Sequence, residues 1–114
     1  MGYSRVKIKP LSANVCWQGK RFKTRDYKSY ESQMLWMLPA MNLSEPPYEV
    51  EYRFGLSSKN ADWDNPIKPF QDILQKKYGF NDKDIFRAVV EKEIVPKGKE
   101  YIEFEIRELS CAKR

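Results

Sequence analysis

The sequence predicts a single small α/β domain, a mixed β-sheet carrying two main helices in the order β-α-β-α-β-β. Three observations lead there. Residues 48–58, YEVEYRFGLSS, alternate apolar with charged side chains. Residues 65–79, NPIKPFQDILQKKYG, place apolar residues at three- and four-residue steps between a Pro start and a Gly stop. Two more alternating runs follow, on either side of a PKGK turn.

Taken in order, YSRVKIK (3–9) reads as a first strand, and PLSAN (10–14) breaks it. WQGKRFKTRD is a basic loop or short hairpin around Gly19. Thr24 is a helix N-cap candidate, and Tyr27, Tyr30, Met34, Met37 and Leu38 then form a helical stripe that Pro39 ends. Trp36, Met34 and Met37 are expected in the core or at a dimer contact. In the strand 48–58, Tyr48, Val50, Tyr52, Phe54 and Leu56 face the core, while Glu49, Glu51 and Arg53 face water. In the second helix Asn65 is the natural N-cap and Pro66 suits the first turn. Ile67, Phe70, Ile73, Leu74 and Tyr78 form its buried stripe, and Gly79 stops it. NDKD (81–84) is a turn. Phe86, Ala88, Val90 and Ile94 share one parity in the next strand, and Ile102, Phe104 and Ile106 share one in the last. PKGK (96–99) is read as the hairpin turn between these two strands.

With 114 residues, 41% hydrophobic and 32% charged, the chain 1–114 supports one soluble domain with one core. No apolar run reaches the roughly 18 residues of a membrane span, and the N-terminus lacks a signal-peptide apolar region. A cytoplasmic protein is expected. Cys16 and Cys111 lack metal or redox spacing and read as ordinary buried or free thiols. The chain has no histidine, which excludes Ser-His and Cys-His nucleophiles and imidazole-bound zinc. Carboxylates and lysines must carry any catalysis. The net charge of +5 is uneven. Residues 1–30 hold eight basic groups against Asp26 alone, a net +7, which suits a polyanion such as nucleic acid.

ADWDNPIKPFQDIL, residues 61–74, puts Asp62 and Asp64 two residues apart at a strand-to-helix junction. In extended chain they would share a side, about 7 Å apart by Cα, with room for a cation between their oxygens. Mg²⁺ takes such ligands together with water and substrate phosphate. The competing reading is helix capping, since acidic groups favour a helix N-terminus by about 0.3–1 kcal/mol. Lys68, one turn beyond Asp64, is placed to neutralise a phosphate or to form an i, i+4 pair. Asp82 and Asp84 precede the next strand. Convergence of one of them with Asp62 and Asp64 would call for a metal, because three crowded carboxylates repel.

KRFKTRDYK (20–28) interleaves Phe22 and Tyr27 with basic residues. Lys20, Arg21, Lys23 and Arg25 are candidate phosphate contacts.

The run DWDNPIKPFQDILQKKYGFNDKDIFRAVVEKEIVPKGKEYIEFEI resembles the RusA family of Holliday junction resolvases (crossover junction endodeoxyribonucleases). The shared pattern is D-x-D-N-x-x-K, a helix, a Gly-Phe break, an acidic turn and two closing strands. PLSAN is similar to the family's Pro-Pro-Ser-x-Asn loop, which makes Asn14 a further candidate, although Leu11 replaces the second proline. The resemblance implies a homodimeric, Mg²⁺-dependent endonuclease, with Mn²⁺ as substitute. Such enzymes nick four-way DNA symmetrically in recombination and repair, in bacterial hosts and often from phage or prophage genes. By motif position the metal-holding carboxylates fall on Asp62, Asp64 and Asp82 and the essential lysine on Lys68, with Asn65 and Lys68 also facing DNA. Asn81-Asp82 stands where the family has an acidic pair, which leaves Asp84 as the alternative third ligand. The rival expectation is a non-catalytic nucleic-acid-binding phage accessory protein on the same fold.

Overall fold

The computed structural model describes residues 3–13, 17–18 and 22–109, with backbone only at 17, 18, 22 and 23. Asn14, Cys16, Lys20, Arg21 and Cys111, and the side chain of Lys23, lie outside the described residues. The elements are β1 (Ser4–Val6), β2 (Trp17–Gln18), β3 (Phe22–Lys23), α1 (Arg25–Met37), β4 (Tyr48–Leu56), α2 (Ile67–Tyr78), β5 (Ile85–Ile94) and β6 (Tyr101–Glu108). One 3-10 turn, Asp82–Asp84, precedes β5. β2 and β3 pair in a short antiparallel ladder. The other strands form a mixed sheet in the order β1-β6-β4-β5. No helix among the described residues is long and apolar enough to cross a membrane.

β4 is the spine of this sheet. Its alternation buries Tyr48, Val50, Tyr52, Phe54 and Leu56 under the helices. It runs parallel to β5 and antiparallel to β6. The last two strands therefore do not pair with each other, contrary to the hairpin read from PKGK. The turn itself forms, with Lys99 N–H donating to Pro96 O and Gly98 at φ 93°. The chain then crosses the end of β4, where Val95 N–H donates to Leu56 O at 2.8 Å. The physical reason is that β4, with the longest apolar face, gains a ladder on both of its edges by lying between its neighbours.

α1 begins at Thr24, whose hydroxyl oxygen accepts Tyr27 N–H at 3.1 Å. Tyr27, Tyr30, Met34 and Leu38 pack inward, but Met37 is partly exposed and Trp36 is 87% exposed, which removes Trp36 from the core. α2 buries Phe70, Ile73 and Leu74. The Phe70 ring meets Tyr52, Phe54 and Phe104 edge to face, with centroids 5.2–5.8 Å apart. Gly79 ends the helix in the left-handed region at φ 73°, where L side chains are strained.

The opposite face of the sheet is a charged lattice. Arg107 reaches Glu51 at 2.6 Å, Glu105 at 2.9 Å and Glu49 at 3.3 Å; Arg53 reaches Glu91 at 2.7 Å and Glu103 at 3.4 Å. This is the solvated face that the alternation of β4 predicts.

Candidate active site

The parallel pairing of β4 with β5 decides where the acidic residues stand. Tyr48 lies beside Ile85 and Leu56 beside Ile94. Asp62 and Asp64 therefore follow the carboxyl end of β4, whereas Asp82 and Asp84 precede the amino end of β5. Nine strand residues separate these ends, roughly 26 Å at the usual rise, and α2 runs back between them.

Residues 57–65 do not stay extended. The chain bends through Trp63 and Asp64, and Asp64 O accepts Ile67 N–H at 3.1 Å in a turn that starts the helix. Asp62, Trp63 and Asp64 are exposed. Asn65 does not cap α2, whose N-terminus has no side-chain cap. Its amide instead donates to Asp62 Oδ2 at 3.3 Å, and its carbonyl accepts Ala13 N–H at 2.9 Å. The loop after β1 is thereby docked onto the motif. From the other side, Lys92 Nζ of β5 donates to Ala61 O at 2.7 Å and Lys59 O at 3.3 Å. A lysine ammonium thus holds the backbone just ahead of Asp62.

Asp62 lines a cavity of about 630 Å³, whose wall also includes Lys9, Ser12, Asp26, Asn65 and Glu100. Asp26, in the first turn of α1, and Glu100, ahead of β6, are polar wall residues that sequence reasoning did not single out for this site.

Lys68 turns away from this loop. Its Nζ donates to Asp72 Oδ1 at 2.9 Å, one turn further along α2. That bond holds the ammonium pKa above its ordinary value, with a smaller push from Asp82. Gln75 links the pair to the acidic turn: its amide donates to Asp72 at 3.4 Å and its oxygen accepts Asp82 N–H at 2.8 Å. Lys68, Asp72, Gln75 and Asp82 thus form a polar chain along α2. Asp84 stands near Tyr48, whose phenol pKa is raised by burial first and by the Asp84 carboxylate second.

Among the described residues, no three acidic or thiol side chains come close enough together to hold a metal ion. The expected convergence of Asp82 or Asp84 with Asp62 and Asp64 is not formed within one chain. The reason is topological: a parallel crossover places the residues before and after its helix at opposite ends of the sheet. Of the candidate DNA contacts, Arg25 is exposed at the start of α1. Comparison with protein-family models and with curated proteins gave no match to this chain.

Proposed function

We propose that this protein is a divalent-metal-dependent endonuclease of RusA type that nicks four-way or similarly branched DNA. The observation that carries the reading is the position of the D-x-D-N-x-x-K motif. Asp62 and Asp64 lie exposed on the loop beyond the carboxyl end of a parallel strand, with Asp62 on the wall of a cavity. Open α/β sheets commonly bind ligands at that end of the sheet. Two exposed carboxylates suit Mg²⁺ or Mn²⁺, which take hard oxygen donors and fill their remaining positions with water and phosphate. Asp62 and Asp64 would hold the ion, which when bound supplies charge neutralisation at the phosphate and an acidified water.

The chain's own residues do the rest. Asn65 fixes the Asp62 carboxylate through its amide. Lys92 and the docked loop at Ala13 hold the backbone on either side. Lys68, by exchanging Asp72 for a phosphate oxygen, stabilises developing negative charge. The basic N-terminal segment, with Arg25 at its helical end, positions the DNA backbone without reading bases.

A labelled four-way junction and a linear duplex, incubated with Mg²⁺ or with EDTA, test this beside Asp64→Asn. Paired nicks in the junction, abolished by EDTA and by the substitution while binding persists, are expected. The second reading, a binding module without catalysis, draws on the separation of Asp82 from Asp62 and Asp64. Salt-dependent binding with no cut under Mg²⁺ or Mn²⁺ would favour it.

A further inference from the structure

Trp63 stands between the two carboxylates of the motif and is 55% exposed. Among the described residues its ring has no aromatic partner and no cation over its face. A single exposed apolar side chain is ordinary in a folded protein. Two features distinguish this one.

The first is how firmly its backbone is held. Ahead of it, Ala61 N–H donates to Ser58 O at 3.1 Å and Asn60 N–H to Ser58 Oγ at 3.2 Å. Lys92 adds its bonds to Ala61 O and Lys59 O. Behind it, Asp64 O accepts Ile67 N–H, and the Asn65 amide donates back across Trp63 to Asp62. A rigid ring on a fixed loop loses little freedom when it binds. The second feature is its surroundings. Ser58, Lys59, Asn60, Asp62 and Asp64 are all exposed and polar. They offer no apolar patch of the size that protein partners cover. A broad π-face among metal-binding carboxylates suits a nucleic-acid base, which is flat, apolar on its faces and tethered to a phosphate.

We propose that Trp63 stacks on a base left uncovered at a branch point, and that this contact makes the protein prefer branched DNA to linear duplex. Base–aromatic stacking needs an open base face and tolerates any base. Where strands diverge, the last base pair of an arm has lost a stacking neighbour, and its face is open. Inside a linear duplex every pair is covered on both sides, and uncovering one costs free energy. The ring therefore adds affinity only at the branch, whereas phosphate contacts serve both DNAs alike. Trp63 is on this account a specificity-determining residue and not a catalytic one. Its place beside a scissile phosphate rests on the nuclease reading; its preference for a branch does not require cleavage.

Binding measured in EDTA, where no strand is cut, tests this. The wild type should bind a four-way junction more tightly than a linear duplex at the same salt concentration. Trp63→Ala should weaken junction binding by roughly tenfold more than duplex binding, the loss of one stacked base. Trp63→Phe should keep most of the preference. Trp63→Leu should not, because leucine retains bulk without a π-face. Equal losses on both DNAs, or full rescue by leucine, overturn the proposal. Fluorescence gives a second readout. In Trp17→Phe, Trp36→Phe protein the only indole is Trp63, and the junction should quench it far more than the duplex does. Trp36, 87% exposed, lies roughly 15 Å further along α1 than the cavity-lining Asp26 at the usual helix rise. In Trp17→Phe, Trp63→Phe protein its emission should respond to neither DNA. Equal quenching of Trp63 by both DNAs, or quenching of Trp36 to the same extent, also overturns the stacking. A wild type that passes these tests but never cuts under Mg²⁺ or Mn²⁺ removes the nuclease reading and leaves the stacking standing. One that cuts while Trp63→Ala keeps its junction preference removes the stacking alone.

Discussion

The ring of Tyr101 occupies the space that a side chain on Gly55 would need. A Cβ built at Gly55 in β4 falls 2.3 Å from both Cδ1 and Cε1 of Tyr101, its cross-strand partner in β6. The ring is held there by the Arg5 guanidinium, 3.8 Å from its centroid, and by the hydroxyl bond to Glu93. Gly55→Ala is therefore expected to displace a fixed ring and to lower stability by about 1–3 kcal/mol, in the range of overpacking substitutions. Urea unfolding measures it. An unchanged midpoint would mean that the ring swings away at no cost.

The same ring sets a pH dependence. Tyr101 is pushed up to about 12 from an ordinary 10.0, by burial first and then by donation to Glu93. A folded-state pKa above the unfolded one favours the protonated form in the fold. The resulting stability is full below pH 10 and is lost as pH rises towards 12. The stability difference between wild type and Tyr101→Phe should be constant up to that lower limit and shrink across the window. Denaturation curves collected through the alkaline range check it. A difference that grows there contradicts the assignment.

On the charged face, Arg107 is the cation shared by Glu49, Glu51 and Glu105. Removing it takes the arginine from Glu51 and Glu105, while Glu49 keeps Arg87 at 2.6 Å. Arg107→Ala should cost about 1 kcal/mol at low salt, more than an isolated surface pair typically contributes. The loss should diminish in high salt, where repulsion among exposed carboxylates is screened. A loss independent of salt would mean that the packing of the arginine stem, and not its charge, matters.

DNA binding offers a charge count. Replacing Lys23 and Arg25 by Ala should weaken junction and duplex binding together. If each meets one phosphate, the slope of log affinity against log salt should flatten by about 1.8. Fluorescence titrations at several salt concentrations read this directly. An unaltered slope places the DNA elsewhere.

Much of the fold was legible because side-chain periodicity reports burial. The five inward residues of β4, the Thr24 cap and the Gly79 stop are all where local rules put them. Strand order was not legible. PKGK carries a turn signal, and a turn fixes only its own geometry; the insertion of β4 between β5 and β6 depends on contacts distant in sequence. The site divides along the same line. The motif fixes Asp62, Asp64, Asn65 and Lys68 in one loop and one helix turn. The distance from there to Asp82 is a property of the parallel crossover. Asn65 itself was misread as a cap, since its competing partner, the Asp62 carboxylate, is only three residues away.

The placement of β6 between β1 and β4 also governs how the chain can fold. Ser4 pairs with Phe104, Tyr48 with Glu108, and β5 joins β4 only across α2. No ladder of the main sheet can zip from a tight turn, so each requires closure of a long loop before contacts reward it. A chain cut before Tyr101 would leave β1 without a neighbour and one edge of β4 bare. Completion of the main sheet therefore waits on its last strand, Tyr101–Glu108.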